Sequence, residues 1–256
     1  MRFTTVISNV GRNIMFGISL VAIVSQATAS PVFFTEDFSD NSPGPIMALG
    51  PAGGTPTTDF TGDFTVTSGA GSRIYLGTTG TDYLSSNFVF GATVTDPGTG
   101  SPWSLGFLGM GNYTPNPGTS YEPSSTMIVF GGRPDTLTVR VIDDNSGAAV
   151  EHSLGAFAAS WAGGTHRLQM TWDASIQQAL LQIDINYAGG PFVADFSTTV
   201  NGADNGFNAT NSRLFVGGGF DVTFDDISVV PEPGSILLFG LGGAVALVRT
   251  RRRLVR

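Results

Sequence analysis

The sequence predicts an all-β protein: a single antiparallel β-sandwich of the jelly-roll type, with a short targeting segment at each end. Apolar and polar side chains alternate along many short segments, which is typical of half-buried strands. Gly, Pro, Asn and Asp separate these segments, and no stretch has the period of an amphipathic helix. About ten short strands in roughly 200 residues are what a sandwich of two sheets requires.

The composition excludes several kinds of site. The 256 residues include no Cys and no Lys, so the chain has no disulfide, no thiolate-bound metal and no lysine for a Schiff base or a phosphate loop. Between positions 30 and 230, five arginines and nineteen acidic residues give a formal charge of −14. This charge disfavours nucleic acid and other anionic polymers as partners, and it suits neutral glycans or cations.

Residues 1–29 have the pattern of a secretory signal peptide. Two arginines give a basic start, and residues 14–24 form an apolar run that is too short to span ~30 Å of hydrocarbon as a helix. Ala27 and Ala29 are the small residues expected at the −3 and −1 positions of a cleavage site. We expect export by the Sec machinery and cleavage after Ala29; the alternative is a buried N-terminal helix.

The exported region, residues 30–230, contains the strand patterns. The clearest alternation lies in 136–141, 167–172 and 181–187, where apolar residues occupy every second position. The remaining predicted strands are 74–76, 87–95, 104–110, 126–130, 192–199, 212–216 and 221–230.

The last predicted strand changes phase in its middle. Val222 and Phe224 share one parity, whereas Ile227 and Val229 have the other. One extra residue at 225–226, a β-bulge, would turn all four side chains toward the core.

Such a bulge would bring Asp225 or Asp226 close to Asp37 if the first and last strands pair. Clustered carboxylates repel one another unless a cation or a proton joins them, and Ca²⁺ prefers oxygen ligands. The sequence therefore predicts a structural Ca²⁺ site with Asp37 and Asp225, joined by Asp40 or Asp226. The alternative is that these acids are solvated beside turns.

Four aromatic residues outside the strand patterns are candidates for a glycan-binding platform, because a flat ring stacks on the apolar face of a sugar. They are Trp103, Tyr113, Tyr121 and Trp161. The alternative for each is local packing. We assign Trp172 and most of the Phe residues to the core.

Catalytic signatures are missing from the sequence. A retaining glycosidase needs two carboxyl groups about 5 Å apart on facing positions, and the four glutamates show no suitable spacing. His166 shares the parity of Leu168 and Met170, which indicates a buried or rim histidine rather than a base. We predict no catalytic residue and no enzymatic activity.

Residues 231–256 form a second targeting segment. Pro231, Glu232 and Pro233 precede an uncharged, mostly apolar run at 234–248. As a helix this run would rise about 22 Å, slightly short of a bilayer core, and a basic end would stay cytoplasmic. The terminal arginines are Arg249, Arg251, Arg252, Arg253 and Arg256.

This tail resembles the PEP-CTERM sorting signal of Gram-negative bacteria. The resemblance implies recognition by an exosortase in the inner membrane, with Glu232 as a recognition residue and cleavage near 231–233. It further implies delivery to the cell surface, the outer membrane or the extracellular matrix of organisms that make exopolysaccharide and biofilms. The alternative is an ordinary C-terminal membrane anchor.

The exported region resembles a concanavalin A-like, or laminin-G-like, jelly roll. The resemblance rests on the Asp-rich opening at 37–40, the strand 165–173 with the hairpin after it, residues 212–219 and the closing strand 222–230. It implies that the closing strand returns beside the first, and that the strand at 165–173 and its hairpin share one sheet.

Three functions remain open at this point. We favour a non-enzymatic surface or matrix protein that binds extracellular polysaccharide. The alternatives are a glycan-active enzyme on a concanavalin-like fold and a self-associating structural or adhesive module.

Overall fold

The computed structural model describes a β-sandwich that occupies most of the predicted exported region. The described residues are 31–44, 47–50, 57–67, 74–98, 105–111, 127–133, 136–142, 150–153, 161, 163–202, 212–219 and 221–232. Within them the regular structure is almost wholly β, apart from a 3₁₀ turn at Tyr83–Ser85 and a helical residue at Trp161.

The strands carry the following bounds. They are β1 Phe34–Glu36, β2 Met47–Gly50, β3 Thr57–Asp59, β4 Phe64–Thr67, β5 Ile74–Thr78, β6 Phe88–Thr95, β7 Leu105–Gly111, β8 Met127–Arg133, β9 Thr136–Ile142, β10 Val150–Ser153, β11 Thr165–Asp173, β12 Gln178–Asp184, β13 Phe196–Asn201, β14 Arg213–Gly219 and β15 Thr223–Pro231.

Two antiparallel sheets form the sandwich. Sheet I has the order β13-β12-β11-β6-β15-β4-β3, and β1 pairs with β15 beside β4. Sheet II has the order β10-β9-β8-β7-β14-β5-β2. The closing strand therefore lies beside the first strand, and β11 lies beside β12 in one sheet, as the resemblance implied.

The core lies between the two sheets because every second side chain of each central strand points inward. In sheet I the inward positions of β6 and β11 include Phe90, Val94, Leu168 and Trp172, all fully buried. In sheet II they include Leu108, Met110, Ile128, Phe130, Leu214 and Val216. Burial of this apolar surface is the main force that holds the sheets together.

All ten predicted strands are confirmed, each with bounds that differ by one or more residues, and the largest differences lie in β12 and β13. The segment predicted at 181–187 begins earlier, at Gln178, and ends at Asp184, since Asn186 adopts a left-handed φ of 59° in the following turn. The segment predicted at 192–199 begins only at Phe196. The alternation criterion missed five short strands, namely β1, β2, β3, β4 and β10.

Sheet II also carries an apolar cluster of Tyr75, Phe107, Met127, Val129 and Phe215, separate from the main core. Each central aromatic ring faces glycines on neighbouring strands: Phe215 pairs with Gly77 and Gly109, and Phe107 pairs with Gly131 and Gly217. The missing Cβ atoms leave room for the rings, because a Cβ on Gly109 would clash with Phe215.

Candidate functional site

The predicted bulge in the closing strand is confirmed. Asp225 pairs with Thr93 and Ser228 pairs with Gly91, so β15 carries two residues where β6 carries one. Val222, Phe224, Ile227 and Val229 are all fully buried as a result. Asp226 is the residue that absorbs the shift, with a left-handed φ of 48°.

Arg167 holds the bulge from the outer face of sheet I. Its guanidinium donates to the carbonyl oxygen of Asp226 at 2.7 Å, to Thr93 Oγ1 at 3.1 Å and to Ser228 Oγ at 3.2 Å. The side chain lies over Gly91, where a Cβ would come within 2.9 Å of the guanidinium. The alternation in the sequence placed Arg167 on the solvent-facing side of its strand, but it did not reveal that the guanidinium binds the bulge.

Carboxylates gather beside the bulge, as the sequence predicted. Burial raises the pKa of Asp225, and repulsion from Asp226, Asp63 and Asp37 raises it further, against a backbone hydrogen bond from Asp226 that lowers it. Asp37 has a lowered pKa because its carboxylate accepts hydrogen bonds from Ser39.

The predicted Ca²⁺ site does not fit this arrangement. In the part of the chain that the structure describes, no three His, Asp or Glu side chains come together closely enough to hold a metal ion. The oxygens of Asp37 and Asp40 accept backbone N–H groups two residues on, and Asp225 accepts the N–H of Asp226 at 2.7 Å. Because no third ligand joins them in the described part of the chain, we assign no metal chemistry to these carboxylates.

Replacing Asp225 with asparagine should stabilise the domain at neutral pH by less than about 1 kcal/mol. The amide oxygen can still accept the N–H of Asp226, whereas the repulsive charge is lost. Since the pKa is raised in the folded state, the native penalty exists above that pKa and disappears as the pH falls through it.

Urea unfolding at several pH values measures this effect, and the gain should shrink toward pH 4. Adding Ca²⁺ or EDTA should change neither protein. A wild-type domain that gains stability with Ca²⁺, while the Asp225→Asn variant does not, would restore the metal site.

Trp161 is not the exposed platform that the sequence suggested. Its indole is fully buried and stacks on the ring of His166, with the ring centroids 4.1 Å apart and an angle of 9° between the planes. The ring lies against Gly132, whose missing Cβ makes room for it. The other candidates, Trp103, Tyr113 and Tyr121, lie outside the described residues.

His166 is a buried structural histidine, as its parity indicated. Nε2 lies 2.8 Å from the carbonyl oxygen of Trp161, and Nδ1 accepts the N–H of Asn186 at 3.3 Å. This pattern fits the neutral tautomer with the proton on Nε2. Burial lowers the pKa of His166, against the Trp161 hydrogen bond and the charge of Asp96, which raise it.

The segment 83–88 holds both ends of the sandwich. The Tyr83 hydroxyl donates to the carbonyl oxygen of Val32 at 2.7 Å, and it accepts the N–H of Val32 at 3.1 Å. Asn87 Nδ2 donates to Glu232 Oε2 at 2.8 Å, and Asn87 Oδ1 accepts the N–H of Ala174 at 2.9 Å. Neither anchoring role could be predicted from the sequence, because the partners are 51 and 145 positions apart.

The predicted tail begins directly at the sheet. Pro231 is the last residue of β15 and pairs with Phe88, and Glu232 follows it. Pro233, the apolar run and the terminal arginines lie outside the described residues, as do Ala27 and Ala29. Among the described residues, no helix has the length and hydropathy to span a membrane.

The family comparison identifies the end of the chain. A family profile for the PEP-CTERM protein-sorting motif matches residues 229–253. The chain carries a PEP-CTERM protein-sorting motif. This confirms the resemblance drawn from 231–256, and the motif starts at Val229, inside β15. No curated protein matches the chain in sequence.

Solved structures with a similar fold include lectins. Lectin I-B4 from Griffonia simplicifolia, in a metal-free form, has a TM-score of 0.52 over 78 % of this chain and 99 % of the lectin, at 11 % identity. Lectin II from Ulex europaeus has a TM-score of 0.53 over 78 % and 97 %, at 14 % identity.

The exoplasmic/lumenal domain of VIP36, in a Ca²⁺/Man-bound form, has a TM-score of 0.54 over 74 % of this chain and 84 % of that domain, at 9 % identity. Similarity at such identities shows the fold alone. The domain ahead of the PEP-CTERM motif is therefore an all-β sandwich of the legume-lectin type, which confirms the concanavalin-like resemblance.

Proposed function

We propose that this protein is exported, handed to an exosortase through its PEP-CTERM motif, and delivered to the cell surface or the extracellular matrix of a Gram-negative bacterium. The observation that carries the proposal is the motif match at 229–253, which begins within the last strand of a folded domain. The signal-like residues 1–29 support export, and the basic end after 248 supports a transient stop in the inner membrane.

We further propose that the sandwich is a non-enzymatic module that binds extracellular polysaccharide. Its fold is similar to that of lectins, and the similar domain of VIP36 is described in a Ca²⁺/Man-bound form. The strongly acidic exported region suits a neutral glycan better than an anionic one. The buried His166 is used on both ring nitrogens, so it supports packing rather than acid–base chemistry.

The sorting proposal is tested by replacing Pro231, Glu232 and Pro233 with alanine in a host that contains the exosortase. Mass spectrometry should then detect no processing of the C-terminus, and the precursor should accumulate in the inner membrane. As the control, alanine at Gln182 on the outer face of sheet I should leave processing unchanged. Normal delivery of the triple variant would contradict the proposal.

The binding proposal is tested with residues 30–232 on a glycan array, together with a hydrolysis assay on every glycan that binds. We expect binding of neutral polysaccharide without release of sugar. Alanine at whichever of Trp103, Tyr113 and Tyr121 stacks on the ligand should weaken binding about tenfold, which corresponds to ~1.4 kcal/mol of binding free energy. Alanine at Tyr187, whose hydroxyl donates to Gly190 in its own turn, is the matched control. Sugar release would favour the enzyme alternative.

A further inference from the structure

The sorting motif and the folded domain share residues. The motif match begins at Val229, whereas β15 continues to Pro231, which still pairs with Phe88. Beyond the strand, the Glu232 carboxylate accepts a hydrogen bond from Asn87 at 2.8 Å. The first four residues of the motif match, 229–232, are therefore held against the sandwich.

We propose that Asn87 is a latch that holds Glu232 on the folded domain, and that an exosortase acts only after the end of β15 has opened. This inference rests on the proposed sorting function and adds its regulation. A membrane enzyme needs the backbone on both sides of its target bond, and residues in a sheet become available only through local opening. When opening is fast, the cleavage rate follows the population of the open form.

The structure indicates how far the opening extends. Val229 is fully buried, so the strand is anchored there, whereas Val230 is 40 % exposed. Pro231 has no N–H to donate to the ladder. A hydrogen bond to a carboxylate is stronger than one between neutral groups. The Asn87–Glu232 bond is thus a main contact to break when residues 230–232 leave the sheet.

The latch acts by limiting the length of chain between the folded domain and the apolar run. Only Pro233 separates Glu232 from the apolar run that starts at Gly234. Extended residues span at most ~3.6 Å each, so the latched domain has about 7 Å of chain before that run. Opening 230–232 adds roughly 10 Å. The latch therefore sets whether the motif can extend away from the sandwich into an active site.

The variant Asn87→Asp separates the latch from the fold. An aspartate keeps the Oδ1 acceptor for the N–H of Ala174, but it loses the donor and places a second carboxylate against Glu232. The matched control is Gln182→Glu, the same amide-to-acid change on the outer face of sheet I.

The first experiment is a pulse–chase of the full chain in a host with the exosortase. We expect Asn87→Asp to convert to the processed form about three- to tenfold faster than wild type, in line with loss of one hydrogen bond. Gln182→Glu should convert at the wild-type rate. Hydrogen exchange of the full chain in detergent supplies a second readout: peptides covering 228–232 should exchange faster in Asn87→Asp, with 92–95 unchanged, because the partners of 88 and 89 are the residues that open.

Each outcome is decisive. If Asn87→Asp is processed at the wild-type rate while the triple alanine variant is blocked, the latch is overturned and the sorting proposal stands. Unchanged exchange at 228–232 also overturns the latch. If neither the wild type nor the triple variant is processed, the sorting proposal itself fails and the latch with it.

Discussion

Replacing Trp172 with alanine should lower the free energy of unfolding of the exported domain by about 4 kcal/mol. The indole is fully buried in the core between the sheets, and Nε1 donates to the carbonyl oxygen of Leu84 at 3.0 Å. The alanine variant leaves a large cavity, and it deprives the carbonyl of this donor. Both effects act in the same direction.

The measurement is urea unfolding of residues 30–232. Trp172→Phe keeps most of the apolar surface but removes the donor, so it should cost less, about 2 kcal/mol. The control is Thr171→Ala, because Thr171 directly precedes Trp172 in β11 and lies on the opposite face. Equal losses for Trp172→Ala and Thr171→Ala would show that the indole is not a core anchor.

The predictable part of this fold is the part in which one residue in two must be buried. Along β11 the pattern of Leu168, Met170 and Trp172 is confirmed position by position, and all three are fully buried. The bulge at 225–226 was predictable for the same reason, because two apolar pairs of opposite parity can share one face only if a residue is inserted.

Short strands at the edges carry too little alternation to be predicted. β1 has three residues and no fully buried one, and it is a strand because β15 provides a partner from 227 to 229. Pairing of this kind depends on contacts nearly two hundred positions apart, and a local pattern contains no trace of them.

Among the site residues, too, some could be predicted from the local pattern and others could not. The parity of His166 predicted a buried side chain, which the structure confirms, whereas the position of Trp161 before two glycines suggested a loop platform. The glycine at 132 explains the difference, since the absence of a Cβ on β8 opens a space for the indole. Asn87 and Tyr83 show no pattern of their own, because their partners lie at the two ends of the domain.

Replacing Arg167 with alanine should destabilise the domain by about 3 kcal/mol. The guanidinium bonds three oxygens on two strands, and one of them is the carbonyl of Asp226 at the bulge. Burial lowers the pKa of Arg167, while Asp226 and Asp225 favour its charged form. The side chain therefore offsets both the left-handed backbone of Asp226 and the acidic surroundings of β15.

The matched control is Gln169→Ala, two residues further along the same face of β11. Urea unfolding should show a loss for Arg167→Ala that is several times the loss for Gln169→Ala. Arg167→Lys should recover only part of the stability, because one ammonium group cannot bond all three oxygens in the planar geometry of a guanidinium.

A double variant decides whether the bulge is the cause. If Arg167 acts by supporting the bulge and countering its carboxylates, the loss should be smaller when Asp225 is already asparagine, by roughly 0.5–1 kcal/mol. Strict additivity, together with unchanged hydrogen exchange at 225–228, would instead mean that Arg167 stabilises only through packing over Gly91. Support of the bulge would also explain why an arginine lies on the outer face of β11. The closing strand needs the inserted residue to bury Phe224 and Val229 together, and the inserted residue exposes a carbonyl that this arginine binds.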